Sequence, residues 1–205
     1  MDKKGLLIVI SGFSGVGKGT VVKRLVQDYG YSLSISATTR APREGEVDGR
    51  EYYFKSKEDF MNLIDYNGFI EWAVYVENYY GTPRAFVEKE LAAGHHVILE
   101  IEVQGALNIK SQYPDAVLIF LTAPSALELK HRLMGRGTEE QSVVDKRMKR
   151  AIEESEDMHQ YEYIVVNDDL DQCVKDVNSV IVAKSCMIEE NIKFMNQMKE
   201  ELKAL

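Results

Sequence analysis

The sequence predicts an α/β protein built on a parallel sheet with helices on both faces. Runs such as Leu6–Ile10 and Val117–Leu121 are continuously apolar, which is typical of strands buried on both faces. Stretches with helical periodicity separate these runs. Apolar residues make up 45% of the chain, which is enough for a packed interior. These three observations predict strands that alternate with crossover helices.

The predicted elements follow one another in the order that this architecture requires. The strand candidates are Leu6–Ile10, Leu33–Ala37, Val97–Ile101, Val117–Leu121 and Tyr163–Val166. The helix candidates are Lys18–Tyr29 with Gly30 as its stop, Lys57–Tyr66, a segment that Thr82-Pro83 caps and Gly94 closes, and Ser125–Leu133. The cap and stop residues follow the known preferences for helix ends.

A glycine-rich loop joins the first strand to the first helix. Residues 11–20 read Ser-Gly-Phe-Ser-Gly-Val-Gly-Lys-Gly-Thr and match the phosphate-binding pattern G-x-x-x-x-G-K-[ST], except that Gly19 replaces the usual hydroxyl residue. Backbone N–H groups of such a loop hold phosphate oxygens, and Lys18 adds a positive charge. The residues predicted to bind ATP here are Gly12, Ser14, Gly15, Val16, Gly17, Lys18, Gly19 and Thr20. Because Gly19 has no hydroxyl, we expect Mg²⁺ to be held mainly through water and the nucleotide.

Two stretches interrupt the alternation of strands and helices. Residues 36–82 are rich in polar and aromatic side chains and predict a small inserted subdomain. Residues 135–151 carry Arg136, Lys146, Arg147, Lys149 and Arg150 close to glycines, which predicts a mobile lid. An ordinary solvated helix is the alternative for the second stretch. Residues 1–35, 83–134 and 152–205 then form the core.

Two arginines flank a proline in the segment Ser36–Glu46, which reads Ser-Ala-Thr-Thr-Arg-Ala-Pro-Arg-Glu-Gly-Glu. The guanidinium groups of Arg40 and Arg43 each offer a planar fork to a phosphate, and Pro42 fixes the backbone between them. The pair predicts a second phosphate ligand, separate from the glycine loop.

With these motifs, the chain resembles the guanylate kinase family. The resemblance extends through S-x-T-T-R-x-P-R-x-G-E, G-x-x-Y-x-F, I-E-W-A, N-Y-Y-G-T, I-L-E-I-E-V-Q-G, G-R-G and V-N-D-D-L. It implies a P-loop NTPase-type sheet with an inserted GMP-binding subdomain and a mobile lid. The implied activity is ATP-dependent phosphorylation of GMP to GDP with Mg²⁺.

Position by position, the resemblance implies two groups of GMP contacts. Arg40, Arg43, Tyr52 and Tyr80 would hold the phosphate, whereas Ser36, Glu71, Thr82 and Glu102 would meet the guanine. A carboxylate and a hydroxyl suit guanine, because it presents N1–H and a 2-amino group as donors and O6 as an acceptor. Glu100 is expected beside the glycine loop, as a contact to the substrates or to Mg²⁺. Core aromatic roles for Tyr52 and Tyr80, and a surface position for Glu71, are the alternatives.

The implied transfer is direct and needs no general base. Lys18 would hold the outer phosphates of ATP, and Arg40 and Arg43 would hold the acceptor. Arg136 and Arg147 would close over the transferred group, with help from Arg132. Arg132 and Arg136 are also expected to contact ATP. Asn167 is expected near the adenine of ATP, a helix N-cap being the alternative.

The chain departs from its family in three side chains. Pro is common at the position of Phe13, and Asp is common at the positions of Glu100 and Glu102. These departures leave the predicted reaction intact but change the geometry around a metal ion.

The resemblance implies the small molecules GMP and ATP as partners, and composition disfavours two other classes of partner. The net charge of −8 disfavours nucleic acid, no apolar stretch is long enough to span a bilayer, and the two cysteines form no CxxC pair, so we expect a cytoplasmic protein. A non-catalytic protein-binding module of this family and a kinase for another small phosphate are alternative functions. The apolar side chains of residues 186–205 are expected to pack on the core, with a subunit contact as the alternative and the oligomeric state open.

Overall fold

Strands and helices alternate along the computed structural model, which describes residues 4–75, 77–135 and 141–205. The strands are β1 (Leu7–Gly12), β2 (Ser32–Leu33), β3 (Ala37–Thr38), β4 (Tyr53–Phe54), β5 (Phe69–Tyr75), β6 (Asn78–Pro83), β7 (Val97–Glu100), β8 (Val117–Thr122) and β9 (Tyr163–Val166). The helices are α1 (Lys18–Tyr29), α2 (Lys57–Asp65), α3 (Arg84–Ala92), α4 (Val103–Gln112), α5 (Ala126–Met134), α6 (Gln141–Ser155), α7 (Leu170–Ser185) and α8 (Ile192–Lys203).

The larger sheet has the strand order β2-β7-β1-β8-β9. Each pairing in it is parallel, so the carboxyl ends of the strands meet at one edge. The glycine loop leaves β1 at that edge, between the ends of β7 and β8. Open parallel sheets bind their ligands at this edge, and the strand order therefore determines where the site lies.

Helices cover both faces of this sheet, as predicted. Along β1, Ile8 and Ile10 point to the face that α1, α5 and α7 cover, whereas Leu7 and Val9 point to the face that α3 and α4 cover. Successive side chains of a strand alternate between faces, so a continuously apolar strand fills both interiors. The α/β fold class predicted from the sequence is confirmed.

A second, smaller sheet has the order β4-β3-β6-β5. Phe60 of α2 and Phe69 of β5 form its own small core, with their rings stacked 4.5 Å apart. The predicted single strand Leu33–Ala37 is wrong, because the chain passes from one sheet to the other within it. Leu33 pairs with Ile98 of the large sheet, whereas Ala37 already pairs with Gly81 of the small one.

Local sequence signals correctly predicted the end of α1 and the start of α5. Gly30 ends α1 with a φ of 72°, a left-handed conformation that favours glycine. Ser125 caps α5 by accepting a hydrogen bond from the backbone N–H of Glu128. The prediction that Thr82 caps α3 is wrong, since Pro83 occupies the N-cap position and the Thr82 hydroxyl bonds elsewhere.

Helices α6 and α8 differ from what the sequence predicts for their segments. Helix α6 continues four residues past the predicted lid boundary, to Ser155, and buries Val144 and Ala151 against the core. Helix α8 buries none of its residues, so the prediction that this segment packs on the chain's own core is wrong. Helical spacing shows that a face is apolar but not which surface covers it.

Among the described residues, the helices are too short or too polar to cross a membrane.

Candidate active site

The glycine loop lies between β1 and α1 and adopts backbone conformations that other residues rarely reach. Gly12 has a φ of 143° and packs so closely that a Cβ atom there would overlap the carbonyl oxygen of Leu121. Gly17 has a φ of 92° at the N-cap of α1. The Lys18 ammonium lies across the loop and donates to the carbonyl of Gly12 at 2.7 Å. The loop therefore presents a positive charge at the N-terminal end of a helix, where anions bind.

Asn167 and Arg132, two residues predicted to contact ATP, support the glycine loop through hydrogen bonds. The buried Asn167 side chain donates from Nδ2 to the carbonyl of Val16 at 2.7 Å, and Arg132 donates to the carbonyl of Asn167 at 2.7 Å. Neither side chain lines the cleft that contains Lys18. Asp169 is the N-cap of α7, so the N-cap alternative for Asn167 is wrong. The proximity of Asn167 to adenine stays a prediction.

One cleft of about 790 Å³ joins the glycine loop to the paired arginines. It lies between the carboxyl edge of the large sheet, the small sheet and α6. Its lining includes many of the predicted site residues: Ser14, Lys18, Ser36, Arg40, Arg43, Tyr52, Glu71, Tyr80, Glu100, Glu102 and Arg147. Thr82 lies buried beside Glu71. The other residues predicted to bind ATP between positions 12 and 20 lie on the glycine loop and at the start of α1.

At one end of the cleft, an ion pair and an aromatic ring fix the position of Arg40. Its guanidinium donates to Glu46 Oε1 at 2.9 Å and lies 5.4 Å from the centre of the Tyr52 ring. Glu46 also accepts a hydrogen bond from the backbone N–H of Arg43 at 2.7 Å. The hydrogen bond from Arg40 lowers the pKa of Glu46, which therefore stays ionised. The sequence assigned Glu46 no role, because nothing in its spacing shows which arginine it contacts.

Tyr52 and Tyr80 line the same end of the cleft, with ring centres 5.9 Å apart. The alternative that they are core aromatics is therefore wrong. Burial raises the pKa of Tyr52 to about 12, so its phenol stays protonated at neutral pH. A neutral phenol beside a guanidinium can donate a hydrogen bond to a phosphate.

Glu71 lines the cleft from β5 of the small sheet and is only 7% exposed, so the surface alternative for it is wrong. Its Oε1 accepts a hydrogen bond from the Thr82 hydroxyl at 2.8 Å. Burial raises the pKa of Glu71 to about 7, and the Thr82 hydrogen bond opposes this rise. A buried carboxylate with one free oxygen can accept hydrogen bonds from a ligand that carries N–H donors.

Glu100 ends β7 next to the glycine loop. A Cβ atom on Gly19 would lie 3.6 Å from both of its carboxylate oxygens. Burial raises the pKa of Glu100, whereas the charge of Lys18 lowers it. Mg²⁺ in phosphate-transfer sites is bound by one or two carboxylates, the nucleotide and water. Glu100, with Glu102 two residues further on, fits that donor set.

Helix α6 lines the cleft with a face of positive charge. Arg147 donates two hydrogen bonds to Ser14 Oγ, at 2.7 and 3.2 Å, and so links α6 to the glycine loop. Lys146 and Arg150 lie on the same face of the helix and also line the cleft. Positions 146, 147 and 150 share one face of a helix. This spacing could have assigned Lys146 and Arg150 to the cleft from the sequence, where they were placed only in the predicted lid. Arg136 lies outside the described residues.

Three comparisons with known proteins agree with this geometry. The family model described as guanylate kinase matches residues 4–184. Guanylate kinase from Caldanaerobacter subterraneus is 48% identical over 98% of this chain and 98% of its own length. The enzyme of that name from Halalkalibacterium halodurans is 49% identical over 98% and 99%, respectively. A crystal structure of guanylate kinase from Anaplasma phagocytophilum matches with a TM-score of 0.76 and 30% identity, over 91% of this chain and 89% of that one. The chain therefore belongs to the guanylate kinase family of enzymes.

Proposed function

We propose that this enzyme transfers the γ-phosphoryl group of Mg·ATP to the phosphate of GMP, forming GDP and ADP. One observation carries the proposal: a single cleft contains the Lys18 loop on one side and the Arg40 and Arg43 guanidinium groups on another. Such a cleft can bring two phosphate-bearing ligands together, whereas either group of cations alone would bind only one.

The donor triphosphate would bind at the glycine loop. Its β- and γ-phosphates would meet the Lys18 ammonium and the loop N–H groups at the start of α1, where the helix dipole favours negative charge. A bound Mg²⁺ would neutralise charge on the transferred group. Glu100 is the carboxylate best positioned to orient the water molecules of that ion.

The acceptor would bind across the small sheet. Its phosphate would meet Arg40, Arg43 and the Tyr52 and Tyr80 phenols, and its guanine would face Glu71. An ionised Glu71 can accept hydrogen bonds from guanine N1–H and the 2-amino group. Adenine lacks the 2-amino group and presents a lone pair at N1, so it would leave this buried carboxylate unpaired.

Transfer then requires alignment and charge neutralisation rather than proton abstraction. An oxygen of the GMP phosphate attacks the γ-phosphorus as the bond to the bridging oxygen of ADP breaks. Arg147 already reaches the loop at Ser14 and would hold the transferred group during this step. In this scheme residues 36–82 form the GMP-binding subdomain and residues 135–151 form the lid, and closure excludes water that would otherwise hydrolyse ATP.

A coupled assay of ADP formation tests the proposal. Purified enzyme is given Mg·ATP with GMP, dGMP, AMP, UMP or ribose 5-phosphate in parallel. We expect rapid turnover with GMP and a preference over AMP of about 10⁴-fold or more, as buried polar recognition provides. Faster turnover with another phosphate would reassign the acceptor. Absence of turnover with all of them would support a non-catalytic binding module.

A further inference from the structure

Gly105 of α4 lies directly against the Glu71 carboxylate and lines the floor of the cleft. A Cβ atom built on Gly105 would lie 2.8 Å from Glu71 Oε2 and 3.3 Å from its Cδ. Real Cβ atoms essentially never come closer than 3.0 Å to such an atom. A side chain at position 105 therefore requires the Glu71 carboxylate or the α4 backbone to shift, and the carboxylate is the end of a side chain.

The backbone of α4 does not require this glycine. Gly105 lies inside a regular helix and is absent from the residues with positive φ, so alanine could adopt the same conformation. Alanine is also a better helix former than glycine. The position of Glu71, rather than helix geometry, explains why a glycine occupies the site.

Glu71 has little freedom to move away from an added methyl group. Its Oε1 is held by the Thr82 hydroxyl at 2.8 Å, and the side chain is only 7% exposed. Moving Oε2 away from position 105 would break the Thr82 hydrogen bond or turn the carboxylate away from its present direction. The space at Gly105 thus determines where the carboxylate points.

We propose that Gly105 is a positioning residue for base recognition, whose missing side chain lets Glu71 reach the N1–H and 2-amino edge of guanine. This inference rests on the proposed function, because it assumes that Glu71 binds the base. Gly105 lies on α4, which packs on the large sheet, whereas Glu71 lies on β5 of the small sheet. One helix of the core therefore determines the specificity of the subdomain.

The test is the Gly105→Ala variant, assayed with GMP and with IMP, which lacks the 2-amino group. Losing charge-assisted hydrogen bonds to the base should reduce kcat/KM for GMP by about 10- to 100-fold. The loss should appear mainly in KM for GMP and should shrink the GMP-to-IMP ratio. KM for ATP and the melting temperature should stay near those of the wild type. Ser179→Ala, on the exposed face of α7 and outside the cleft lining, is the control and should change none of these values.

A second substitution separates positioning from general damage. Glu71→Asp withdraws the carboxylate by one methylene group, so it relieves the contact that Gly105→Ala creates. The double variant should lose less kcat/KM for GMP than the product of the two single losses. Multiplicative losses, or an unchanged GMP-to-IMP ratio in Gly105→Ala, would overturn the inference. If Gly105→Ala does not fold but the double variant does, the contact with Glu71 is supported; if neither folds, the glycine serves packing and the inference fails.

Two further measurements show which proposal has failed. Wild-type enzyme without activity on GMP would refute the proposed function itself. Wild-type activity that is lost in Glu71→Gln but kept in Gly105→Ala would refute only the role of Gly105.

Discussion

The KM for GMP should decrease as the pH rises from 6 to 8, because Glu71 must be ionised to accept hydrogen bonds from guanine. Burial raises the pKa of this carboxyl group to about 7, so the neutral, non-binding form dominates in mild acid. With that pKa, the ionised fraction rises from about 9% at pH 6 to about 91% at pH 8. Apparent affinity scales with the competent fraction, so KM should decrease by about tenfold over this range.

Steady-state kinetics at saturating Mg·ATP measure this decrease, with Glu71→Gln as the control. The phosphate of GMP also loses its second proton at a pH of about 6, and the control retains that titration while lacking the carboxylate. The variant should therefore bind GMP weakly at each pH and show a flatter profile than the wild type. Calorimetry of GMP binding at pH 7, in buffers of different ionisation enthalpy, should detect more proton release in the wild type than in the variant. Equal pH profiles for the two proteins would refute the reasoning.

Three other substitutions test separate parts of the cleft. Arg43→Ala should raise KM for GMP and lower kcat, each by about tenfold or more, with little change in ATP affinity; unchanged GMP kinetics would contradict the assigned role. Arg147→Ala should lower kcat far more than the ground-state binding of either nucleotide, whereas an equal loss in both would make it a binding residue only. Burial raises the pKa of Glu154 above its value in the unfolded chain. The group therefore contributes stability that is fully present below the unfolded-state pKa and is lost as the pH rises through the raised pKa. Glu154→Gln should therefore reduce the loss of stability between pH 5 and pH 8 in urea unfolding, and an undiminished loss would exclude this group as its source.

Sequence reasoning succeeded where the signal is local. The glycine loop, the α1 stop at Gly30 and the Ser125 cap each depend on a few consecutive residues. Strands β1, β7 and β8 of the large sheet were identified because burial on both faces leaves an unbroken apolar run. The split of Leu33–Ala37 between two sheets was missed, since it depends on which partner strand each residue meets.

The supporting contacts of the site could not be predicted for the same reason. Asn167 reaches the glycine loop at Val16 from 151 residues away, and Arg147 reaches Ser14 from 133 residues away. No spacing rule relates such positions. Gly105 had no predicted role of its own, and only the coordinates show Glu71 against it.

The Arg40–Glu46 ion pair has a consequence for competition among anions in the cell. Since the guanidinium already holds a carboxylate at 2.9 Å, an arriving phosphate gains only the difference between two similar ion pairs. Inorganic phosphate would thus gain little from Arg40 and would depend on Arg43, Tyr52 and Tyr80. In the proposed scheme a nucleotide also contacts Glu71 and so has a second source of affinity, which would favour its binding over that of free phosphate.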